Sequence, residues 1–489
     1  LTMTDNGAVT VPRIPGNCNC SGFLGIRHLQ CVLCFLGITI AYANRVCMSI
    51  AIVAIKEEVE KNGSILENVG PILSSFFWGY TLMQIPSGHL ARIWSAKMVF
   101  SIGVMLNGVG CMLCPIFFDQ GGWILLCICR VIMGLSQACC LPCIHTLLSK
   151  WVPPNERGRL CTMTYAGAQF GTVISYPISG AMIEFSGWRS VFYSFGAVAV
   201  IWSLSFFFIG SDSPAASAGS SLCRIGDTER KYIECGLGVH QTEDSAEKKK
   251  IPKTPWGSIL TSLPFWSLVA AHCGQNWGFW TLITETSIYM NGVLGFDITE
   301  NGLKSALPYL AMLFLTFPVS YLSDWAQTKG LSRGASRKIC NTIGHWGPGL
   351  ALIGICFVSP GDTTTPVILL VIAGGLNVGA VCGFQINHMD LSPNYAGLLM
   401  AFTNCAAAIV ALLAPLIVGE IVTDDKNADQ WKIVFYLSGG IYFVGNLMFI
   451  IFGSGETQPW DDITKSNRND EGVIIKLRSS ASAEDTLIA

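Results

Sequence analysis

The chain has 489 residues, of which 51% are hydrophobic and only 13% are charged, with a formal net charge of -2. Its mean hydropathy is +0.49. This composition leaves too little polar surface to cover a soluble globule of this size, so it indicates a membrane protein. The basic residues sit in short loops and form no long patch, which argues against a nucleic-acid-binding function.

The sequence carries no signature of catalysis, of a metal site or of ATP binding. Most of the 20 cysteines lie inside apolar runs such as CVLC and ACCLPC, where Cys packs as a small hydrophobe. No GxxxxGKS/T motif occurs, and no loop contains a catalytic constellation. The sequence therefore predicts a protein that is not an enzyme and that uses no cofactor or metal.

Long apolar segments follow a polar N-terminal tail, residues 1–28, and predict membrane-spanning helices. The first half, residues 29–210, is predicted to form one six-helix bundle. Its six spans are about 29–55, 69–90, 97–118, 123–148, 160–185 and 191–210. The loop after the first span carries the sequon Asn62-Gly63-Ser64, which predicts glycosylation of Asn62.

A polar linker, residues 211–262, separates this half from a second apolar half. The second half, residues 263–453, is predicted to form another six-helix bundle, followed by a polar tail, residues 454–489. Its six spans are about 264–293, 301–323, 339–358, 366–388, 396–422 and 433–452. The prediction is therefore an all-α membrane protein with twelve transmembrane helices.

The distribution of Lys and Arg predicts how the chain is oriented in the membrane. Basic residues cluster in the loops that follow even-numbered spans, whereas the opposite loops are acidic or mixed. Because cytoplasmic loops are enriched in Lys and Arg, both tails and the linker are predicted to be cytoplasmic.

The two halves repeat short motifs at matching places. PSGHLAR (86–92) follows span two and PVSYLSD (318–324) follows span eight, while PPNERG (153–158) follows span four and SPNYAG (392–397) follows span ten. Such internal repeats are typical of transporters built by duplication. The repeats predict two pseudo-symmetric bundles that face one central cavity.

Two arginines lie inside predicted spans, Arg45 in span one and Arg130 in span four. A charged side chain at mid-bilayer costs roughly 3 kcal/mol or more, so it normally faces a protein-lined cavity. At 1.5 Å per residue, Arg45 and Arg130 lie roughly 16 and 11 Å from the outer ends of their spans. Guanidinium groups bind carboxylate and phosphate, so the pair predicts an anion-binding cavity. The alternative is that either arginine only pairs with a buried carboxylate or with carbonyl groups and holds helices together.

Several segments make the family recognisable. They are SSFFWGY (74–80), GWRSVFY (187–193), GQNWGFWTLITE (274–285), NHMDLSPNYAGLLM (387–400) and FGSGETQPW (452–460). With them the chain resembles the major facilitator superfamily, and specifically solute carrier family 17. That family contains the sodium/phosphate cotransporters, sialin, and the vesicular glutamate and nucleotide transporters. The resemblance is strongest to the phosphate cotransporter and sialin types, and it implies that Arg45 and Arg130 serve substrate binding or coupling.

Further site residues follow from the resemblance and from their polarity inside spans. In sialin-like members a glutamate associated with proton coupling stands where this chain has Gln137. The vesicular nucleotide member is similar to this chain in having glutamine there. Gln137 is therefore a candidate substrate contact. Tyr165, Gln275 and Asn276 are also candidate substrate contacts, with interhelical hydrogen bonding as the alternative. Glu285 is the candidate ion-coupling residue; it could bind sodium, accept a proton or neutralise an arginine.

The loop between spans eight and nine resembles the gating loop of the superfamily. Asp324 and Arg333 belong to this loop, and Arg92 occupies the matching loop of the first half. The aspartate that would match Asp324 in the first half is replaced by Ala91, so the charge network of that loop is incomplete.

These observations predict a secondary active transporter of small anions, either inorganic phosphate or organic anions, that works by alternating access. A sodium or proton gradient is the expected driving force, with uptake into vesicles driven by the membrane potential as the alternative. From another class, an anion receptor that does not transport, or an uncoupled anion channel, remains open. The expected partners are a small anion and the lipid bilayer, in the plasma membrane or in a lysosomal or secretory vesicle membrane.

Overall fold

The computed structural model of the chain describes residues 25–61, 69–219, 223–237, 254–295, 298–359, 361–424 and 426–461. Within these ranges the regular secondary structure is helical and contains no strand. The first half forms α1 (Ile26–Lys61), α2 (Val69–Ile93), α3 (Ala96–Gln137), α4 (Cys140–Trp151), α5 (Arg157–Ser186) and α6 (Trp188–Ile209). The linker contains α7 (Pro214–Ala218), α8 (Asp227–Gly236) and α9 (Trp256–Leu260). The second half forms α10 (Leu263–Gly292), α11 (Ile298–Thr328), α12 (Arg333–Ile355), α13 (Thr364–Leu376), α14 (Val378–Ala380), α15 (Ile386–Leu391), α16 (Ala396–Ile421) and α17 (Ala428–Phe452).

All twelve predicted spans fall on these helices, but two of them are interrupted. Predicted spans three and four both fall in α3, whose two helical parts are separated by the non-helical residues Gly121 and Gly122. Gly122 has a φ of 61°, a left-handed conformation that glycine adopts at little cost. Span four ends in α4, and the corresponding span ten is divided among α13, α14, a π-helical segment (Val381–Gln385) and α15. Segments of π-helix often occur at functional sites.

Six of the described helical stretches are long and apolar enough to cross a membrane by length and composition alone. The other long helices, α2, α5, α10, α11 and α12, have a lower hydropathy because they carry more Ser, Thr, Asn, Gln and Gly. Polar side chains inside membrane helices normally face the interior of the bundle or a cavity. Of these five helices, α2, α5, α10 and α11 contribute residues to the central cavity described below.

The helices of each half pack mainly against one another. In the first half α1 packs against α5, and α3 packs against α2 and α6; in the second half α17 packs against α10 and α12. The main contacts between the halves are α2 with α16, α5 with α11 and α4 with α16. We call the side of the molecule that carries the linker and both ends of the described chain the linker side, and the opposite side the far side.

Candidate functional site

A cavity of about 390 Å³ lies between the two halves. The first half contributes α1, α2, α3 and α5 to its wall, and the second half contributes α10, α11 and α16. The polar and aromatic lining residues are Tyr42, Arg45, Ser49, Phe77, Tyr80, Arg130, Gln169, Thr172, Tyr176, Asn276, Phe279, Tyr309 and Asn404. The structure therefore brings together three of the residues that the sequence proposed: Arg45, Arg130 and Asn276.

Arg130 is buried, with only 2% of the residue exposed. Among the described residues, its Nε and Nη1 atoms have no hydrogen-bond partner. Its guanidinium carbon lies 5.0 Å from the ring centroid of Phe76, an attractive cation–π distance. A ring face stabilises a cation only in part, so these two donors favour an anion at the cavity wall.

Arg45 is surrounded by aromatic rings. Its guanidinium carbon lies 4.5 Å from the centroid of Phe77, 5.1 Å from Tyr80, 5.2 Å from Phe76 and 5.6 Å from Tyr42. The Phe76 ring therefore contacts both cavity arginines. The aromatic faces offset part of the cost of placing two like charges in one wall, and a bound anion would offset more of it.

The other predicted substrate contacts lie in different places. Asn276 lines the cavity and donates its Nδ2 hydrogen to the carbonyl oxygen of His272 at 3.2 Å. Gln275 instead donates to the Asn377 side chain, away from the cavity lining. The Tyr165 hydroxyl lies 3.1 Å from Nε2 of His145, behind the lining. Gln137 is 2% exposed and also lies outside the lining, with neither amide atom hydrogen-bonded within the described chain.

Sequence reasoning missed the aromatic and amide residues that complete the wall. Asn404 on α16 donates its Nδ2 hydrogen to the hydroxyl of Tyr80 on α2 at 3.0 Å, so this bond joins the two halves inside the cavity. Tyr176, Phe279 and Tyr309 face the same space. The aromatic run SSFFWGY was available as a signal, but an aromatic residue in a membrane span does not reveal its direction without the neighbouring helices.

On the linker side a buried ion cluster joins the halves. The Asp390 carboxylate accepts hydrogen bonds from Nη1 of Arg157 at 2.9 Å and from Nε of Arg337 at 2.7 Å. All three side chains are at least 98% buried. Arg157 also donates to the carbonyl of Met389, and Arg337 to that of Cys382. Since Arg157 belongs to the first half and Asp390 to the second, the cluster holds this side closed.

The predicted gating residues occupy the same side but are arranged differently from the expectation. Asp324 accepts from the backbone nitrogen of Arg159 at 2.8 Å and forms an ion pair with its Nε at 3.4 Å. Arg333 is exposed at the first residue of α12. Arg92 stacks over the ring of Tyr395 in the other half, with 4.3 Å between the guanidinium carbon and the centroid. The contact partner of Asp324 is therefore Arg159, a residue from the opposite half.

The side chains of two predicted site residues lie outside the described part of the structure. Asn62 lies outside the described residues, and Glu285 lies on α10 with its side chain outside what the structure describes. Within the described ranges, no group of three or more His, Cys, Asp or Glu residues could hold a metal ion.

Two helical bundles with repeated motifs, a central cavity with two arginines in its wall and closure at one end define a membrane transporter. The family model described as Major Facilitator Superfamily matches residues 34–415. The chain belongs to this superfamily, and within it to solute carrier family 17, as its curated relatives show. The predicted fold, family and transporter class are confirmed.

Three relatives illustrate the match. A Drosophila ananassae protein called “Putative inorganic phosphate cotransporter” is 40% identical, and the alignment covers 88% of this chain and 92% of the relative. Human sialin is 34% identical, with 89% of this chain and 90% of sialin covered. Human vesicular glutamate transporter 2 is 32% identical, with 97% and 82% covered.

Solved structures share the fold at low sequence identity. The proton:xylose symporter XylE superposes with a TM-score of 0.67 at 15% identity, covering 90% of this chain and 98% of that one. A bacterial homologue of the iron transporter ferroportin, in an outward-facing state, gives 0.63 at 15% identity, covering 88% and 99%. At this identity the comparisons establish the architecture alone.

Proposed function

We propose that this protein is a secondary active transporter that carries a small anion across a membrane by rocking its two bundles about the central cavity. The observation that carries the proposal is Arg130, a buried guanidinium at the cavity wall with two nitrogen atoms that lack partners among the described residues. An unpaired cation in this position is costly, and an anionic substrate removes the cost.

The size and lining of the cavity support an organic anion over inorganic phosphate. Pockets that hold small organic ligands typically measure roughly 300–1,000 Å³, and this cavity is about 390 Å³. Its walls carry the aromatic rings of Phe77, Phe279 and Tyr309 as well as the two arginines. A substrate with a carboxylate or phosphate group and an apolar or ring-shaped body matches both features. The relatives named for phosphate and for glutamate also have anions in their names.

The driving force is proposed to be a sodium or proton gradient, since the sequence contains no ATP-binding motif. Glu285 is the proposed coupling residue. The potential-driven alternative rests on Gln137, because an amide at this position carries no proton. Moving one charge through the membrane potential supplies about 2.3 kcal/mol per 100 mV.

The linker side is proposed to be cytoplasmic, on the basis of the Lys and Arg distribution. The contacts of Asp390 and Asp324 then close the cytoplasmic end of the interface, so the cavity of this state is reached from the exterior or from a vesicle lumen. The plasma membrane and lysosomal or secretory vesicle membranes are the proposed locations.

Uptake into liposomes tests the proposal. Purified protein is given labelled phosphate, glutamate, sialic acid and ATP under separately imposed sodium, proton and voltage gradients. We expect one anion to accumulate under one gradient, and we expect Arg130→Ala to abolish this uptake. Arg230→Ala is the matched control, because Arg230 pairs with Glu234 on linker helix α8.

Three results would overturn the proposal. If an anion only equilibrates across the membrane under every gradient, the protein is a channel. If an anion binds to the protein but never enters the liposomes, the protein is a receptor. If Arg130→Ala accumulates the anion as well as Arg230→Ala does, the anion is not held by the cavity arginine.

A further inference from the structure

Arg92 connects three parts of the molecule on the linker side. It lies near the end of α2 in the first half, and its guanidinium stacks over Tyr395 of the second half at 4.3 Å. Its Nη1 atom also donates a hydrogen bond of 2.7 Å to the hydroxyl oxygen of Thr254, at the end of the linker. The Thr254 hydroxyl is therefore already in contact with a fixed cation.

Thr254 is anchored to the second half through the residues that follow it. Trp256 donates its backbone hydrogen to the carbonyl of Thr254 at 2.9 Å. Ile259 is buried in a cluster with Phe265 of α10, and Trp256 packs against this cluster. The contact between Thr254 and Arg92 consequently crosses from one bundle to the other.

The sequence around Thr254 is the target pattern of one class of enzyme. Thr254 precedes Pro255, and a proline in that position restricts the preceding residue to an extended conformation. Proline-directed Ser/Thr kinases act on a hydroxyl residue followed by proline and bind their substrates in extended form. Thr254 is half-buried and lies outside any helix.

We propose that Thr254 is a phosphorylation site of a proline-directed kinase, and that Arg92 holds the phosphate so that the linker side stays closed. The inference goes beyond the proposed transport activity and takes from it only the cytoplasmic location of the linker. In the reaction the Thr254 oxygen attacks the γ-phosphorus of ATP, and the bond to the bridging oxygen of ADP breaks. The hydroxyl proton passes to the base of the kinase, and ADP leaves.

The added phosphate strengthens an existing contact. A phosphothreonine carries a charge of about -1.5 to -2 and three acceptor oxygens, and it forms charge-assisted hydrogen bonds with a nearby guanidinium. The Asp461 carboxylate acts electrostatically on Arg92 and accepts hydrogen bonds from Ser392 and from Asn394. The new ion pair would tie α2 to the segment that precedes α10.

The other Ser-Pro and Thr-Pro pairs of the chain differ from this one. Ser392 is fully buried, and Ser213 accepts from the backbone of Ala216 as the N-cap of α7. Ser359 and Thr365 lie between α12 and α13 or at the start of α13, on the far side. Thr254 therefore combines a hydroxyl outside a helix, the linker side and an arginine.

The test uses the purified full-length chain, ATP and a proline-directed kinase, with maleimide alkylation of Cys382 as the readout of closure. The Cys382 sulfur is buried 3.3 Å from the hydroxyl of Thr162 across the interface, so it reacts only when the halves separate there. The exposed Cys235 serves as the internal reference. We expect mass spectrometry to locate phosphate on Thr254 and alkylation of Cys382 to slow about tenfold, with recovery after phosphatase treatment.

Three variants separate this mechanism from a general effect of phosphorylation. Thr254→Ala should take up no phosphate at this position and should lose the kinase effect, whereas Ser213→Ala should retain it. Arg92→Gln should be phosphorylated at Thr254 but show no slowing. The inference fails if wild type acquires no phosphate on Thr254, if alkylation is unchanged after phosphorylation, or if Arg92→Gln slows as much as wild type. None of these readouts depends on the identity of the transported anion.

Discussion

The two ends of the interface between the bundles are built on opposite principles. On the linker side, Asp390 is matched by two buried arginines and the backbones approach closely. Toward the far side, two arginines line a cavity and Arg130 has donors without partners among the described residues. Ion pairs to a buried carboxylate close one end, whereas Arg130 at the other end makes no ion pair among the described residues.

Glycines make the close approach on the linker side possible. A Cβ atom on Gly397 would overlap the Thr146 hydroxyl and the Pro142 carbonyl of the other half. A Cβ on Gly158 would overlap the Asp324 carboxylate in the same way. Since even one methyl group does not fit, this side is in full contact.

The largest expected effect comes from breaking the matched cluster. Asp390→Ala leaves two buried guanidinium groups without their carboxylate, and removing one partner of a buried ion pair typically costs about 3–5 kcal/mol. We expect a large decrease in the Tm of the protein in detergent. Asp429→Ala is the control, because its pair with Lys432 is exposed and should leave the Tm nearly unchanged. Equal Tm values for the two variants would contradict the importance of the cluster.

Removing the unmatched charge should affect binding and leave folding intact. We expect Arg130→Ala to reduce anion uptake about 100-fold, because a buried charge-assisted contact is worth roughly 2–5 kcal/mol. Its Tm should not fall, since the variant removes a buried cation that the described protein leaves partly unpaired. The anion uptake of Arg130→Lys should lie between that of wild type and that of Arg130→Ala, because an ammonium group keeps the charge but lacks the planar guanidinium fork. A Tm loss as large as that of Asp390→Ala would show that Arg130 is structural.

A methyl group at the closed end should separate the halves. Overpacking typically costs about 1–3 kcal/mol, so Gly397→Ala should shift the equilibrium toward an open linker side by roughly 5- to 150-fold. Maleimide alkylation of Cys382 measures the shift. Gly440→Ala is the matched control, because a Cβ at this position meets no atom within 4 Å. Equal alkylation rates in the two variants would refute the tight closure.

The smallest expected effect concerns an exposed network on the far side. Glu58 accepts from Arg189 and from the Trp188 indole, which lowers its pKa from the usual 4.5. The network stabilises the folded state above pH 4.5, and this contribution is lost as the pH falls through the lowered pKa. Glu58→Gln should therefore lower the free energy of unfolding at pH 7 by less than about 1 kcal/mol, seen as a slightly lower Tm, and should have no effect in strong acid. If the Tm difference between wild type and Glu58→Gln grew as the pH fell, it would contradict this role of Glu58.

The sequence predicted the helical architecture well because hydropathy and repeated motifs report burial in a bilayer directly. It separated spans three and four at the correct place, where Gly121 and Gly122 leave the helical conformation. The interruption of span ten was missed. In its π-helical segment the backbone of Phe384 donates to the Asn341 side chain, a contact across 43 positions of sequence.

The site was predicted in part. Intramembrane arginines are rare and costly, so Arg45 and Arg130 stood out from the sequence. Arg157 and Arg337 were read only as topological signals in basic loops, and Asp390 only as part of a family motif. The contact between Arg157 and Asp390 joins segments 233 positions apart, so a single sequence contains no local pattern for it.

The cavity also reveals a division of labour between the duplicated halves. Arg45, Arg130 and the Phe76 ring between them all belong to the first half, whereas the second half lines the cavity with uncharged groups such as Asn276, Tyr309 and Asn404. If the guanidinium groups hold an anion, the anion would stay bound to the first bundle while the second bundle moves relative to it. Duplication preserved the shape of the repeat, but among the described lining residues the positive charges belong to the first half.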